Sequence, residues 1–180
     1  LTITRQGGPN PDDHFQSTGG LTTLAGGTAL TPGSSLFFGG TTIGTVTVNG
    51  GGTLQLAFNS SATDAYVNGA LKLLAYSNSN DAPSASVTLQ WTFNDGNTTG
   101  SQGSGGALAA TGTTTVSITP TNDAPTGTPT GVLLPGTEDT PTTVSTASLL
   151  EGISDPEGDA LSVTGLSANQ GSVAPNGSGG

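Results

Sequence analysis

SVTLQWTF, residues 86–93, decides the fold class of this chain. Val87, Leu89, Trp91 and Phe93 alternate with polar residues and so share one face of a strand. TTTVSIT (113–119) alternates in the same way, with Val116 and Ile118 on one face. Further out, TTIGTVTV (41–48) and TLQLAF (53–58) also have period two and are separated by NGGG, whose Asn49-Gly50 favours the positive φ of a tight hairpin. The period changes once, in ATDAYVNGALKLLAY (62–76). There Val67, Leu71 and Leu74 fall at i, i+4 and i+7, which predicts a short helix capped by Thr63 or Asp64. Gly69 weakens that helix by about 1 kcal/mol relative to alanine.

Composition agrees with an all-β reading. Thirty glycines and little charge in 180 residues suit a turn-rich sheet protein. Trp91, Phe37, Phe38, Phe58, Phe93 and the alternating strings weigh against disorder. Twelve acids against Arg5 and Lys72 give a net charge of −10, which leaves no basic surface for nucleic acid or an anionic membrane. Divalent cations are the charged partners such a chain suits. The absence of cysteine removes disulfides, thiolate chemistry and cysteine-ligated zinc. No apolar run has the roughly 18 residues of a membrane span, and no charged segment followed by an apolar one marks a signal peptide. Leu1 is not a start methionine, so the expectation is a piece of something longer.

Between the two firmest strands lies a glycine-rich loop, DGNTTGSQGSGG (95–106). Composition shifts at residue 120, where TPTNDAPTGTPTG (119–131) carries three prolines and no large apolar side chain. Such a segment reads as a short, stiff connection between domains. The division expected is a β-sandwich module at 1–120 with N-terminal strands missing, a linker at 121–131, and the N-terminal part of a second module at 132–180. Short strands are expected around Val132–Leu134, Thr142–Val144 and Leu161–Thr164, with an acidic turn, SDPEGDA (154–160), before the last. NDAP occurs twice. The copy at 80–83 reads as a turn between the helix and a strand, and the copy at 122–125 sits at the composition break.

The order FNDGN, TPTNDAP, TED and SDPEGDALSV resembles the bacterial cadherin-like tandem repeats of giant secreted and surface adhesins, the extender modules of RTX-type adhesins. The resemblance covers roughly residues 60–170. It implies immunoglobulin-like or cadherin-like β-sandwiches in tandem, with one short helix in the first, and calcium bound at their junctions. Carried over by position, Asn122 and Asp123 match the linker ligands. Asp155 and Glu157 match a D-x-D pair, here Asp155-Pro156-Glu157. Asp95 matches an aspartate facing an upstream junction, and Glu138 an early glutamate facing a downstream one; Asp64 is the nearest counterpart of the acidic motif at the base of the first module. The chain then enters and leaves out of phase with the repeat, so flanking sequence or neighbouring copies would complete it.

Glu138, Asp139, Glu151, Asp155, Glu157 and Asp159 place six of the twelve acids between residues 138 and 159 without a basic residue among them. Calcium takes six to eight hard oxygens from carboxylates, carbonyls and water, which such a cluster can offer. The alternative is a solvated acidic turn shaped by Pro156 and Gly158. The spacing is neither an EF-hand nor a nonapeptide calcium array. Asp81 in the first NDAP reads as a turn residue. Asp12, Asp13 and His14 read as a polar loop, since one histidine without cysteine makes a poor zinc site. That single histidine and the lack of a nucleophile elbow argue against a catalytic triad, and scarce aromatic surface argues against glycoside hydrolysis. Threonine arrays could form an ice- or glycan-binding face, although strand propensity alone explains them.

The function expected is therefore that of a non-enzymatic extender repeat of a large bacterial surface or secreted protein, stiffened by calcium. Its partners are adjacent repeats of the same chain, or identical subunits if it builds a self-assembling filament by strand exchange. The expected location is extracellular or at the cell surface.

Overall fold

A computed structural model describes residues 1–23, 27–97 and 105–174. The chain forms two compact units, Leu1–Thr119 and Pro120–Gly180. The first contains β1 (Thr2–Arg5), β2 (Asp13–Ser17), β3 (Leu21–Thr23), β4 (Ser35–Phe38), β5 (Thr41–Gly50), β6 (Thr53–Phe58), α1 (Asp64–Leu71), β7 (Leu74–Asn78), β8 (Ser86–Asn94) and β9 (Ala109–Ser117). A seven-stranded antiparallel sheet runs in the order β3-β4-β5-β6-β1-β8-β9, and β2 pairs separately with β7. The all-β, sandwich-type expectation holds, with α1 as the one helix among the described residues of this unit.

Alternation in β6 and β8, and a register shift in the β4–β5 pairing that lets Ile43 and Val46 face the same way, build the core. Ile43 and Val46 of β5, Leu54 and Leu56 of β6, and Val87 and Leu89 of β8 turn inward with Leu21, Leu30 and Leu36. The β2–β7 ribbon adds Phe15, whose ring meets Tyr76 edge-on at 5.7 Å, and α1 adds Ala70. Trp91 and Phe93, on the same face of β8, are only partly buried, and Phe93 lies 6.0 Å from Phe58. The N-terminal residues form β1, an interior strand between β6 and β8, with Ile3 opposite both Leu54 and Trp91.

Four local readings change. The hairpin turn after β5 is Gly51-Gly52, both with positive φ, and not Asn49-Gly50. All four residues of NGGG tolerate a turn, and the pairing of Gly50 with Thr53 selects the last two. Asn49 instead is a paired residue of β5, next to its last, and donates from Nδ2 to the carbonyls of Phe15 (2.8 Å) and Leu30 (2.9 Å). The helix stops at Leu71, so Leu74 belongs to β7 opposite Ser17 rather than to the helical face. Its N-cap is Thr63, whose hydroxyl accepts the Tyr66 N–H at 3.4 Å. Gly69 lies where a Cβ would strike the Phe38 ring, so close packing of α1 on β4 accounts for a glycine in mid-helix.

The third change concerns Asp13 and His14, which lie in strand β2 and not in a polar loop. The fourth concerns the first NDAP, which joins β7 to β8, two strands, rather than a helix to a strand. It is a turn as expected: Asn80 Oδ1 accepts the Ala82 N–H at 2.9 Å. Strand β9 begins at Ala109, four residues before the alternating run suggested, and residues 98–104 of the glycine-rich loop lie outside the described residues.

The second unit holds β10 (Thr126–Gly127), α2 (Thr146–Leu150) and β11 (Ile153–Ser154), with β10 antiparallel to β11. Ser145 caps α2 through Oγ, which accepts the Ser148 N–H at 3.1 Å. The strands expected at Val132–Leu134, Thr142–Val144 and Leu161–Thr164 are absent. Alternation favours an extended chain, but a strand needs a partner, and none of these segments finds one among the described residues. Val132 and Leu134 accordingly stay 87% and 82% exposed.

Candidate metal centre

The β10–β11 pairing sets the geometry of the acidic region. Thr126 opposes Ser154 and Gly127 opposes Ile153. Continued outward, that antiparallel register brings Asp123 opposite Glu157. The backbone N–H of Asp123 donates to Glu157 Oε2 at 3.2 Å, across 34 residues of sequence. The second NDAP is thus held against the acidic turn within one unit. Asn122 Nδ2 donates to the Asp123 carbonyl at 3.3 Å.

Asp155 organises the turn itself. Its Oδ1 accepts the N–H groups of Glu157 and Asp159, both at 3.0 Å, and its carbonyl accepts the Gly158 N–H at 3.2 Å. Gly158 adopts φ 83°, which an L side chain would resist. Glu157 is half-buried, and its second oxygen, Oε1, is sealed from solvent without a hydrogen-bond partner. A buried carboxylate oxygen without a donor is costly, and a cation is one way to satisfy it. All side-chain donors on offer are hard oxygens, as calcium prefers. Among the described residues, however, no three Asp, Glu or His side chains stand close enough to grip a metal by themselves.

Glu138 stands apart from this turn, in a tight turn closed by the Thr140 N–H on the Thr137 carbonyl at 3.1 Å. Its neighbour Asp139 has φ 61°. Asp95 belongs to the first unit, where Oδ1 accepts the N–H of Asn97 at 3.1 Å and of Leu108 at 3.0 Å, tying the residue before β9 to the one after β8. Asp95 also lines a groove of about 580 Å³ with Asp64, Asn94, Phe58 and Phe93. Asp95, which the resemblance places at an upstream junction, and Asp64, the nearest counterpart of the acidic motif at the base of the first module, therefore share one concavity.

One carboxylate centre escaped sequence reasoning. Asp13 is buried and accepts bonds from Tyr76 Oη (2.6 Å), Asn78 Nδ2 (2.7 Å) and the Arg5 guanidinium (3.2 Å). Burial, and then the Asp13 carboxylate that it bonds, push the Tyr76 phenol above its ordinary range. The partners come from β1 and β7, far apart in sequence, so no local pattern announced them. Only the presence of Arg5 as one of two basic residues was a hint. His14 points outward, with Nε2 3.2 Å from Ser79 Oγ.

Residues 121–180 match the model of the cadherin-like domain family. No curated protein and no solved structure matches the chain. The match covers the segment that carries both the second NDAP and the acidic turn, and it supports cadherin-like repeats as the class of this unit. No helix among the described residues is long and apolar enough to cross a membrane.

Proposed function

We propose that the chain is a calcium-stiffened extender segment of a large bacterial surface or secreted adhesin, working outside the cell and without catalysis. The observation that carries this reading is the Glu157 carboxylate, turned onto Asp123 by one oxygen with the other buried and unpartnered. Asp155, Glu157 and Asp159 would hold the ion with oxygens of Asn122 and Asp123. Glu138 and Asp95 would serve neighbouring junctions. Calcium supplies positive charge that relieves repulsion among these acids and fixes the angle between adjacent repeats. Extracellular sites of this kind bind at about 10⁻⁴ to 10⁻³ M.

Calorimetric titration of the whole chain with calcium tests the reading, alongside Asp155→Ala and Glu157→Gln. Millimolar binding by the wild type that both substitutions abolish supports it. Absence of heat at any calcium concentration up to about ten times that range removes it.

A second reading, a subunit of an extracellular filament completed by strand exchange between copies, draws support from Val132–Leu134. This apolar run is exposed and unpaired although its pattern suits a strand. Light scattering of concentrated protein in a chelator would reveal such filaments.

A further inference from the structure

Among the described residues, the outer edge of β9 is open. Its only strand partner among the described residues is β8, in an unbroken register from Ser86↔Ser117 to Asn94↔Ala109. Beyond the two ends of that ladder, Ile118 N–H donates to the Ala85 carbonyl and Asp95 N–H to the Leu108 carbonyl. In an antiparallel pair, opposed residues alternate between exchanging both backbone bonds and exchanging none. Even-numbered residues of β9 therefore bond β8, and Ala109, Thr111, Thr113, Thr115 and Ser117 point their N–H and C=O groups away from the sheet. All five are exposed.

Natural sheets shield such an edge with charge, proline, bulges or short length. This one has none of them. It is nine residues long, without a bulge, and neither β8 nor β9 contains an ionisable residue or a proline. The opposite edge, β3, has only three residues. Like charge opposes self-association of a chain at −10, yet the strip formed by β8 and β9 is neutral. The edge is also self-complementary. About a two-fold axis at Thr113, Ala109 falls opposite Ser117, Thr111 opposite Thr115, and Thr113 opposite itself, so every outward group meets its counterpart.

We propose that two copies of this chain pair antiparallel through β9, joining their seven-stranded sheets into one continuous sheet. About ten backbone hydrogen bonds would form. Little apolar surface is buried, so the dimer is weak, with a dissociation constant on the order of 10⁻⁴ M.

Two measurements on the whole chain in the presence of a chelator test this. In sedimentation equilibrium up to about 1 mM, a concentration above the dissociation constant expected from edge pairing, the wild-type mass rises from 17.4 kDa towards twice that value. Thr113→Pro stays monomeric with an unchanged far-UV spectrum, because its N–H faces outward and the β8 ladder keeps its bonds. The chain has no cysteine, so Thr113→Cys introduces a single thiol. Directly opposed residues fall within disulfide reach. On mild oxidation this variant forms a covalent dimer several-fold faster than Gln16→Cys, an exposed position on β2. A wild type that stays monomeric throughout, a dimer that survives Thr113→Pro, or equal cross-linking at both thiols overturns the proposal.

Discussion

Asp13 keeps 1% of its surface exposed, in a chain with only two basic side chains, and takes one of them as its partner. Its substitution by alanine strands a guanidinium and orphans the Tyr76 and Asn78 donors. The loss expected in urea unfolding is about 3 kcal/mol, near the low end for a broken buried pair because the Arg5 side chain keeps 21% exposure. Tyr76 adds a pH dependence. Its folded pKa is raised above the ordinary phenol value of 10.0, so the neutral phenol is the form that folding favours. That contribution is fully present below the unfolded pKa and is lost as pH rises through the folded one, which places the change on the alkaline side of pH 10. Melts recorded across that limb should show the wild type losing stability with pH, while Tyr76→Phe starts about 1.5–3 kcal/mol lower at neutral pH and loses less thereafter. None of this was legible in DDH at 12–14, because the burial of Asp13 is created by residues more than 60 positions away.

At the scale of elements, strands whose residues carry their own alternation were readable, and β8 spans Ser86–Asn94 where SVTLQWTF pointed. Val87 and Leu89 had only to find an inner face. Leu74 misled because its spacing from Val67 and Leu71 is helical by accident of the boundary, with one apolar residue serving β7 after α1 has stopped. Val132–Leu134 misled for the opposite reason: the pattern is local, but strand formation depends on a distant partner. Asn49 is the element-scale test. As a turn residue it would tolerate alanine with little loss. As the side chain that ties β5 to the carbonyls of Phe15 and Leu30, it takes a donor from both acceptors when removed. Asn49→Ala should therefore destabilise the first unit by about 1–3 kcal/mol in chemical denaturation. Gly50→Ala, outside the two positive-φ positions, should cost much less.

Over the whole molecule, burial is unequally shared. Among the described residues, the first unit holds eleven buried apolar side chains, from Phe15 to Leu89, whereas the second unit holds no fully buried residue. Apolar burial dominates folding stability, so the second unit has little of its own and depends more on anything that binds its folded form. The same unit carries the Asp123–Glu157 contact and the acidic turn. The sequence exposed these acids through charge density, and the NDAP through its repetition. What sequence could not convey was the register of β10 and β11 that brings them together. Calcium at ten times its dissociation constant would stabilise the second unit by about 1.4 kcal/mol. That is a small increment for the first unit's core and a large one for a unit without a core. Hydrogen exchange followed by mass spectrometry should thus show calcium-dependent protection of about tenfold in amides around 122–127 and 153–159. Protection of β5, β6 and β8 should stay unchanged, and Asp155→Ala should remove the calcium effect while leaving those strands as slow as before. Calcium-dependent slowing concentrated instead near Asp64 and Asp95 would move the proposed metal site to the groove of the first unit, and with it the proposed repeat junction.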